Sequence, residues 1–431
     1  TSGGAITLQT RTTGYIQRAI DVLQFQGDHA FGSKETPETF KADWIVSTTA
    51  ATQYEPDLRF FANEVDGTDF LINNGNGYDN PLRFYRDLRE TNFDAKLNFT
   101  LQTKGVNSTK KTEIKFGGAF TNKNRDFTEN RFELINGRDA EEYNGNIDAY
   151  VAEDNLFDVT VEGSTIVDFF RGNYYTDRTQ RTNIFTANQD VWAGYAMVTL
   201  PIGGKLKFIG GARYEGTDME IFPQDSTIFD PILAADSTAT PGVLQLNDIL
   251  PSANFIYSLR EDMNLRAGYA RTLARPSIVE LSPFIRVHYI GGPNVIGNLL
   301  LERTLIDNFD VRWEWFFSLN ELVSVSEIYK NFQRPIGLVQ DFSTQNLRFR
   351  YENLPSAFIY GTEIEIKKNF GFISEGLSKL QFTFNSSFIY SESPLDSGEL
   401  AIIRQFASTR TTRRLFGQSP FVFNGELANV D

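Results

Sequence analysis

The chain contains no cysteine and only two histidines in 431 residues. Disulfides, thiolate metal sites and cysteine nucleophiles are excluded, and any imidazole centre would have to use His29 or His288. Neither histidine has ligating neighbours at metal or catalytic spacing, so both read as loop or strand-end residues. Nucleophile elbows, phosphate loops and dinucleotide fingerprints are also missing, leaving enzymatic activity, resident cofactors and catalytic residues without support. No apolar run approaches the ~18 residues of a membrane-spanning helix, and the opening TSGGAITLQT is not a signal peptide. Positive charge is in deficit, with 41 Lys and Arg against 55 Asp and Glu, a formal charge of −14. That balance argues against nucleic acid and against a polybasic surface for anionic lipid.

What the chain has is material for strands and turns: 38 Phe, 17 Tyr and 33 Gly, against 15 Pro and three Met. Several segments alternate at period two, the mark of a strand between two environments. Phe93, Ala95, Leu97, Phe99 and Leu101 face one way; Asp94, Lys96, Asn98, Thr100 and Gln102 face the other. Phe40, Ala42, Trp44 and Val46 alternate with Lys41, Asp43, Ile45 and Ser47. Lys207, Arg213, Asp310, Arg312, Glu314, Glu363, Glu365 and Lys367 fall on comparable polar faces. Such strands run about ten residues or more, beyond the ~5–6 of soluble sheets and near the ~9–11 of a tilted bilayer-crossing strand.

The connections sort themselves by length. Ala50 to Thr91, Lys123 to Gln189, Thr217 to Asn247, Leu273 to Thr304 and Glu392 to Gln418 are long. Between them, Thr103 to Lys111, Pro201 to Gly204, Arg260 to Asp262, Ser318 to Asn320 and Asn369 to Ser378 are short. Leu347 to Lys368 fits as one strand interrupted at Pro355, and the insertion Asn124 to Asn188 has room for a short helix. Strict alternation of long and short links is the habit of an up-and-down outer-membrane barrel with periplasmic turns and extracellular loops. A Greek-key sandwich has no reason for it.

One stretch organises the rest: GYARTLARPSIVELSPF, Gly268 to Phe284, a strand that must leave its sheet at Arg275-Pro276 because proline lacks an N–H. With NFDVRWEWFF, the turn SLNE and LVSVSEIYKNFQRPI behind it, this stretch resembles the distal barrel of TonB-dependent outer-membrane receptors, in particular the Bacteroidota type. GTEIEIKKNF (Gly361 to Phe370) and RRLFGQSPFVFNGELANVD (Arg413 to Asp431) are similar to the same family. QRAIDVLQFQGDH (Gln17 to His29) and PDLRFF (Pro56 to Phe61) match more loosely. The resemblance implies an all-β, antiparallel, transmembrane barrel with long extracellular loops, part of a barrel of ~22 strands. Some twelve to fourteen strands are readable. Residues 1–431 would then be one barrel domain lacking the N-terminal plug and the closing C-terminal strands. It also implies active transport of an extracellular siderophore, oligosaccharide or peptide, with the TonB complex, outer-membrane lipid and a surface lipoprotein as partners. A passive or structural barrel and a soluble all-β binding module need the same alternation and stay open.

Candidate residues each carry a plainer reading. Asn73, Asn74, Asn76, Asp79 and Asn80 offer oxygen ligands for calcium, but Asn and Gly are also what turns use. Trp44, Tyr195, Tyr214, Tyr269, Trp313, Trp315 and Tyr390 suit an interfacial aromatic girdle or an aromatic core. Arg271, Arg275 and Glu280 suggest an ion-pair cluster bracing the loop at the rim. Phe169, Phe170, Tyr174 and Tyr175 could stack on a ligand or on neighbouring loops. No ligand-binding residue is identified by sequence.

Overall fold

The computed structural model describes residues 7–32, 39–72, 80–103, 111–137, 140–156, 158–162, 165–224, 242–287, 292–318, 320–341, 348–406 and 409–429. Its long strands are β1 (Thr7–Thr13), β2 (Gln17–Phe31), β3 (Phe40–Asp66), β4 (Leu82–Thr103), β5 (Thr112–Asn136), β6 (Phe185–Ile202) and β7 (Leu206–Pro223). They continue as β8 (Gly242–Arg260), β9 (Met263–Ala274), β10 (Thr304–Ser318), β11 (Glu321–Gln333), β12 (Ser356–Asn369), β13 (Leu380–Pro394) and β14 (Phe421–Asn429). Each pairs antiparallel with its successor, except that β1 and β2 lie end to end against β3. This is the expected up-and-down order. No helix among the described residues is long and apolar enough to cross a membrane.

The register assigns the faces. Leu97 is opposite Gly118, and Gly118 opposite Gly194, so Phe93, Leu97, Phe116, Phe120 and Trp192 share the outer face. These side chains are 39–42% exposed, and Tyr214 and Phe255 reach 46%. A soluble sheet buries its apolar face under a second layer. Among the described residues no such layer covers the belt, as lipid-facing residues require.

Several strands outrun the membrane. β3 continues to Asp66 and β4 begins at Leu82, where the sequence suggested loop; β5 likewise continues to Asn136 and β6 starts at Phe185. Above the belt the outer positions become Asp87, Arg89, Asn122, Asn124 and Asp190, so both faces are wet and period-two hydrophobicity disappears. The register shift between Glu55 and Leu58, around Pro56, obscures the pattern further.

The buried cores lie at the end where the long links emerge. After β9 the chain turns inward at Pro276, and Ser277 caps the helix Ile278–Leu281 in a capping box with Glu280. Ile278, Leu281, Phe284 and Leu301 then pack on Phe185, Met219, Ile221 and Leu244 of β6 to β8. Gly297 lets this loop close, because a Cβ there would collide with the Ser282 carbonyl oxygen and meet that of Glu280 at 2.7 Å. Segments Ile285–Val287, Asn294–Ile296, Ile336–Asp341 and Arg348–Asn353 join two long loops in a separate four-stranded sheet. Pro355 is therefore a genuine break: the residues before it belong to the loop sheet, those after it to β12. The insertion between β5 and β6 contains the anticipated short helix, Ile147–Tyr150, whose N-terminus is capped by Asn146.

Candidate functional site: the inward face and mouth

The inner face carries charge in organised chains. On β9 to β12, Arg266 donates from Nε to Glu314 at 2.8 Å, and Arg312 donates from Nε to the other Glu314 oxygen at 2.9 Å. Arg312 reaches on to Ser326 at 3.2 Å and Glu365 at 2.9 Å, and Lys367 lies 3.1 Å from Glu365. Cross-strand neighbours lie ~4.8 Å apart, so alternating acids and bases at one height tie strands together. Elsewhere on this face Thr121 donates to Asp94, and Asn98 donates to Asp43. The polar positions anticipated as a lumen thus face one way, opposite the apolar belt.

Higher up, the wall narrows into a cavity of about 500 Å³ beneath the infolded loop. Arg18, Arg86, Arg125 and Arg286 line it together with Glu55, Phe127, Phe185 and Phe284. Arg86 donates to Glu129 at 2.6 Å and to Glu55 at 3.3 Å. The carboxylate of Glu129 also accepts from Asn183 at 2.5 Å, while the Asn183 side-chain oxygen takes the Ile285 amide at 3.1 Å. Wall and loop are thereby fastened by one polar relay. Arg125 is neutralised by Glu90, whereas Arg18 donates to the uncharged Gln53 at 2.8 Å. Arg286 has no ion-pair partner in the described structure. In the loop sheet nearby, burial and the negative charge of Glu280 push the Tyr351 hydroxyl above its ordinary pKa, against the opposing Arg286.

The predicted residues divide. Trp44, Tyr214, Tyr269, Trp313, Trp315 and Tyr390 lie on the outer face as a girdle requires. Tyr269, Phe309, Tyr329, Tyr360 and Tyr390 occupy one rung across five strands. Tyr195 is a correction: it sits opposite Gly117 on the inner face and donates to Asn98 at 2.9 Å. The rim cluster is a second correction. Arg271 pairs with Asp307 on the outer face, Arg275 pairs with Glu215 and Thr217 on the inner face, and Glu280 caps its own helix. Proline ejects the chain from the sheet between them, so closeness in sequence does not bring the three together.

His29 accepts from the Trp44 indole at 3.2 Å, the role of a strand-end residue. His288, Asn73, Asn74, Asn76 and Asp79 lie outside the described residues, as do the side chains of Phe169 and Phe170. Asn80 is described and donates to Glu133 at 2.8 Å. Among the described residues no cluster suits a metal ion. Sequence reasoning missed Arg86, Glu55, Glu129 and Asn183, which come from separate strands and a loop, with no local motif linking them.

A long-stranded antiparallel sheet with an apolar exterior, a charged interior and loops folded into one mouth is the wall of an outer-membrane β-barrel. The family described as TonB dependent receptor-like, beta-barrel, matches residues 24–430, and the chain belongs to it. Its fold is similar to the pyoverdine outer membrane receptor FpvA of Pseudomonas aeruginosa, with a TM-score of 0.57 and 9% identity over 96% of this chain and 48% of that one. It is also similar to the ferric yersiniabactin uptake receptor FyuA of Yersinia pestis, with a TM-score of 0.52 and 12% identity over 96% of this chain and 47% of that one. The siderophore receptor PiuA of Acinetobacter baumannii gives 0.51 and 12%, over 96% of this chain and 60% of that one. The chain therefore spans between 47% and 60% of these receptors' length. No curated protein matches the sequence.

Proposed function

We propose that this barrel wall serves a TonB-dependent active transporter that takes up an extracellular ligand and performs no reaction of its own. The observation that carries the reading is the mouth cavity: a chamber on the inner face, roofed by a loop that the wall itself holds through Asn183 and Glu129. A ligand captured there sits above a charged, hydrated passage. Two of its four arginines, Arg18 and Arg286, lack a carboxylate partner among the described residues, which favours an anionic ligand over neutral oligosaccharides or peptides. The names of the similar receptors point the same way, toward ferric siderophores. In this reading a plug domain fills the lumen and engages TonB, and further strands close the barrel. The stretch from Gly268 to Phe284, with the strands that follow it, supports the Bacteroidota type, with a surface lipoprotein as an additional partner.

The test is uptake of radiolabelled ferric chelates of graded charge by cells carrying the full-length protein. Uptake of an anionic chelate that stops with a protonophore or on loss of TonB supports the reading. Uptake that continues under both conditions establishes a passive pore instead.

A further inference from the structure

The extracellular extension of β4 and β5 has a second face, which the mouth does not use. Arg86 and Glu129 point to the cavity, so Arg83, Tyr85 and Phe132 point away from it, to the outside of the barrel. Tyr175, on the short strand Asn173–Asp177, joins them because its neighbour in register, Leu134, shares their face. The four side chains form a recess of about 390 Å³. Tyr85 and Phe132 meet edge to face at 5.8 Å, and the Arg83 guanidinium lies 5.6 Å from the Tyr85 ring centre and 5.2 Å from that of Tyr175. Above the ledge, the loop carrying Tyr143 and Tyr150 packs on Phe61 and Leu134, and a deeper recess of about 420 Å³ runs beneath it, sharing Arg83 and Tyr175.

We propose that this ledge is a saccharide-binding site on the outer surface of the barrel, separate from the transport path. Three features select the ligand. The platform is aromatic and half-exposed, suited to the C–H face of a pyranose ring. Its guanidiniums are held in place but not used up: Arg83 donates to both oxygens of Asp57, at 2.9 and 2.8 Å, and Arg59, opposite it in register, donates to the same carboxylate at 2.8 Å, so fixed guanidinium edges remain to hydrogen-bond to sugar hydroxyls. Height is the third. Tyr85 lies eight residues beyond Phe93, the last apolar outward residue of β4, or ~26 Å farther along the strand. That level is above the hydrocarbon, where the sugar chains of outer-leaflet lipid stand and where soluble glycans arrive. Both sources offer the same chemistry.

The experiment uses the full-length protein in detergent, with Tyr85→Ala and Tyr175→Ala as separate variants and Phe127→Ala in the mouth as a control. The probes are purified rough lipopolysaccharide and the soluble neutral oligosaccharides maltohexaose, cellohexaose and mannohexaose. Folding of every variant is checked by circular dichroism and resistance to SDS. Binding that weakens about tenfold in both tyrosine variants and not in Phe127→Ala supports the site. Lipopolysaccharide alone as the binder identifies the cell's own leaflet as the source; soluble hexaose binding identifies an external glycan. Absence of binding to every probe, or binding unchanged by both tyrosine substitutions, overturns the proposal.

Discussion

Replacing Arg86 with Met tests whether the mouth is held by charge rather than by packing alone. Methionine keeps an unbranched stem over Phe84, whose ring centre lies 4.9 Å from the guanidinium carbon, but removes the positive charge. Two carboxylates are then stranded, because the side chains of Glu55 and Glu129 are only 8% and 2% exposed, and Arg86 itself is 15% exposed. Water cannot take over at those exposures. Breaking a buried pair from one side costs about 3–5 kcal/mol. Local opening should therefore become between about a hundredfold and a few thousandfold more frequent, since each 1.36 kcal/mol is a factor of ten. The assay is hydrogen exchange by mass spectrometry on the full-length protein, following peptides from residues 80–90, 125–136 and 180–186. Adding Glu129→Gln to Arg86→Met removes one stranded charge and should recover at least about 1 kcal/mol, roughly fivefold in exchange. If Arg86→Met exchanges within threefold of the parent, or the second substitution makes matters worse, the charge relay is not what closes the mouth.

Asp57 gives a pH prediction. Burial alone would raise its carboxyl pKa, but the hydrogen bonds and charges of Arg83 and Arg59 outweigh burial and hold it below the ordinary carboxylate range. A depressed folded-state value means the contribution is complete above the unfolded pKa of ~3.9 and lost as pH falls through the folded value. Hydrogen-exchange protection of residues 80–86, corrected for intrinsic rates, should therefore hold to about pH 4 and decline below it, a step that Asp57→Asn abolishes. A Gly297→Ala substitution should displace the loop from Ile278 to Leu301, since its methyl group has no space beside the Ser282 and Glu280 carbonyls. Limited proteolysis between residues 276 and 303 should then speed up at least tenfold, equivalent to about 1.4 kcal/mol, and an unchanged digestion pattern would show that the loop has another way to close.

The membrane-crossing part of this fold was legible because the bilayer writes period-two alternation into each strand. Phe93 to Leu101 shows it plainly, and the loop lengths supply direction. Legibility stops where lipid stops. Arg89, Asp87, Asn122 and Asn124 are polar on a face that is apolar lower down, so β4 and β5 look like loops although they remain paired. Tyr195 was misassigned because it is flanked by Gly194 and Ala196, small residues that fit either face; only its register with Gly117 places it inside. The mouth was illegible for a different reason. Glu55, Arg86, Glu129 and Asn183 meet through four distinct segments, and spacing along the chain carries no trace of that meeting. Arg271 and Arg275 show the converse, neighbours in sequence sent to opposite sides of the wall.

The infolded loop also imposes an order of assembly. Strand hairpins such as β6 and β7 close over a few residues and can form as the chain is delivered. The mouth cannot: the Ile285 amide must find Asn183 across 102 residues, and Phe284 must reach Phe127, on a strand laid down far earlier. Such distant contacts are slow, since the entropy of closing the chain is lost before they form. Until β9 is in place, the wall stands with Phe185, Met219, Ile221 and Leu244 uncovered toward the lumen. The newborn wall is thus open and sticky inside until the loop after β9 has been delivered and has folded back over it.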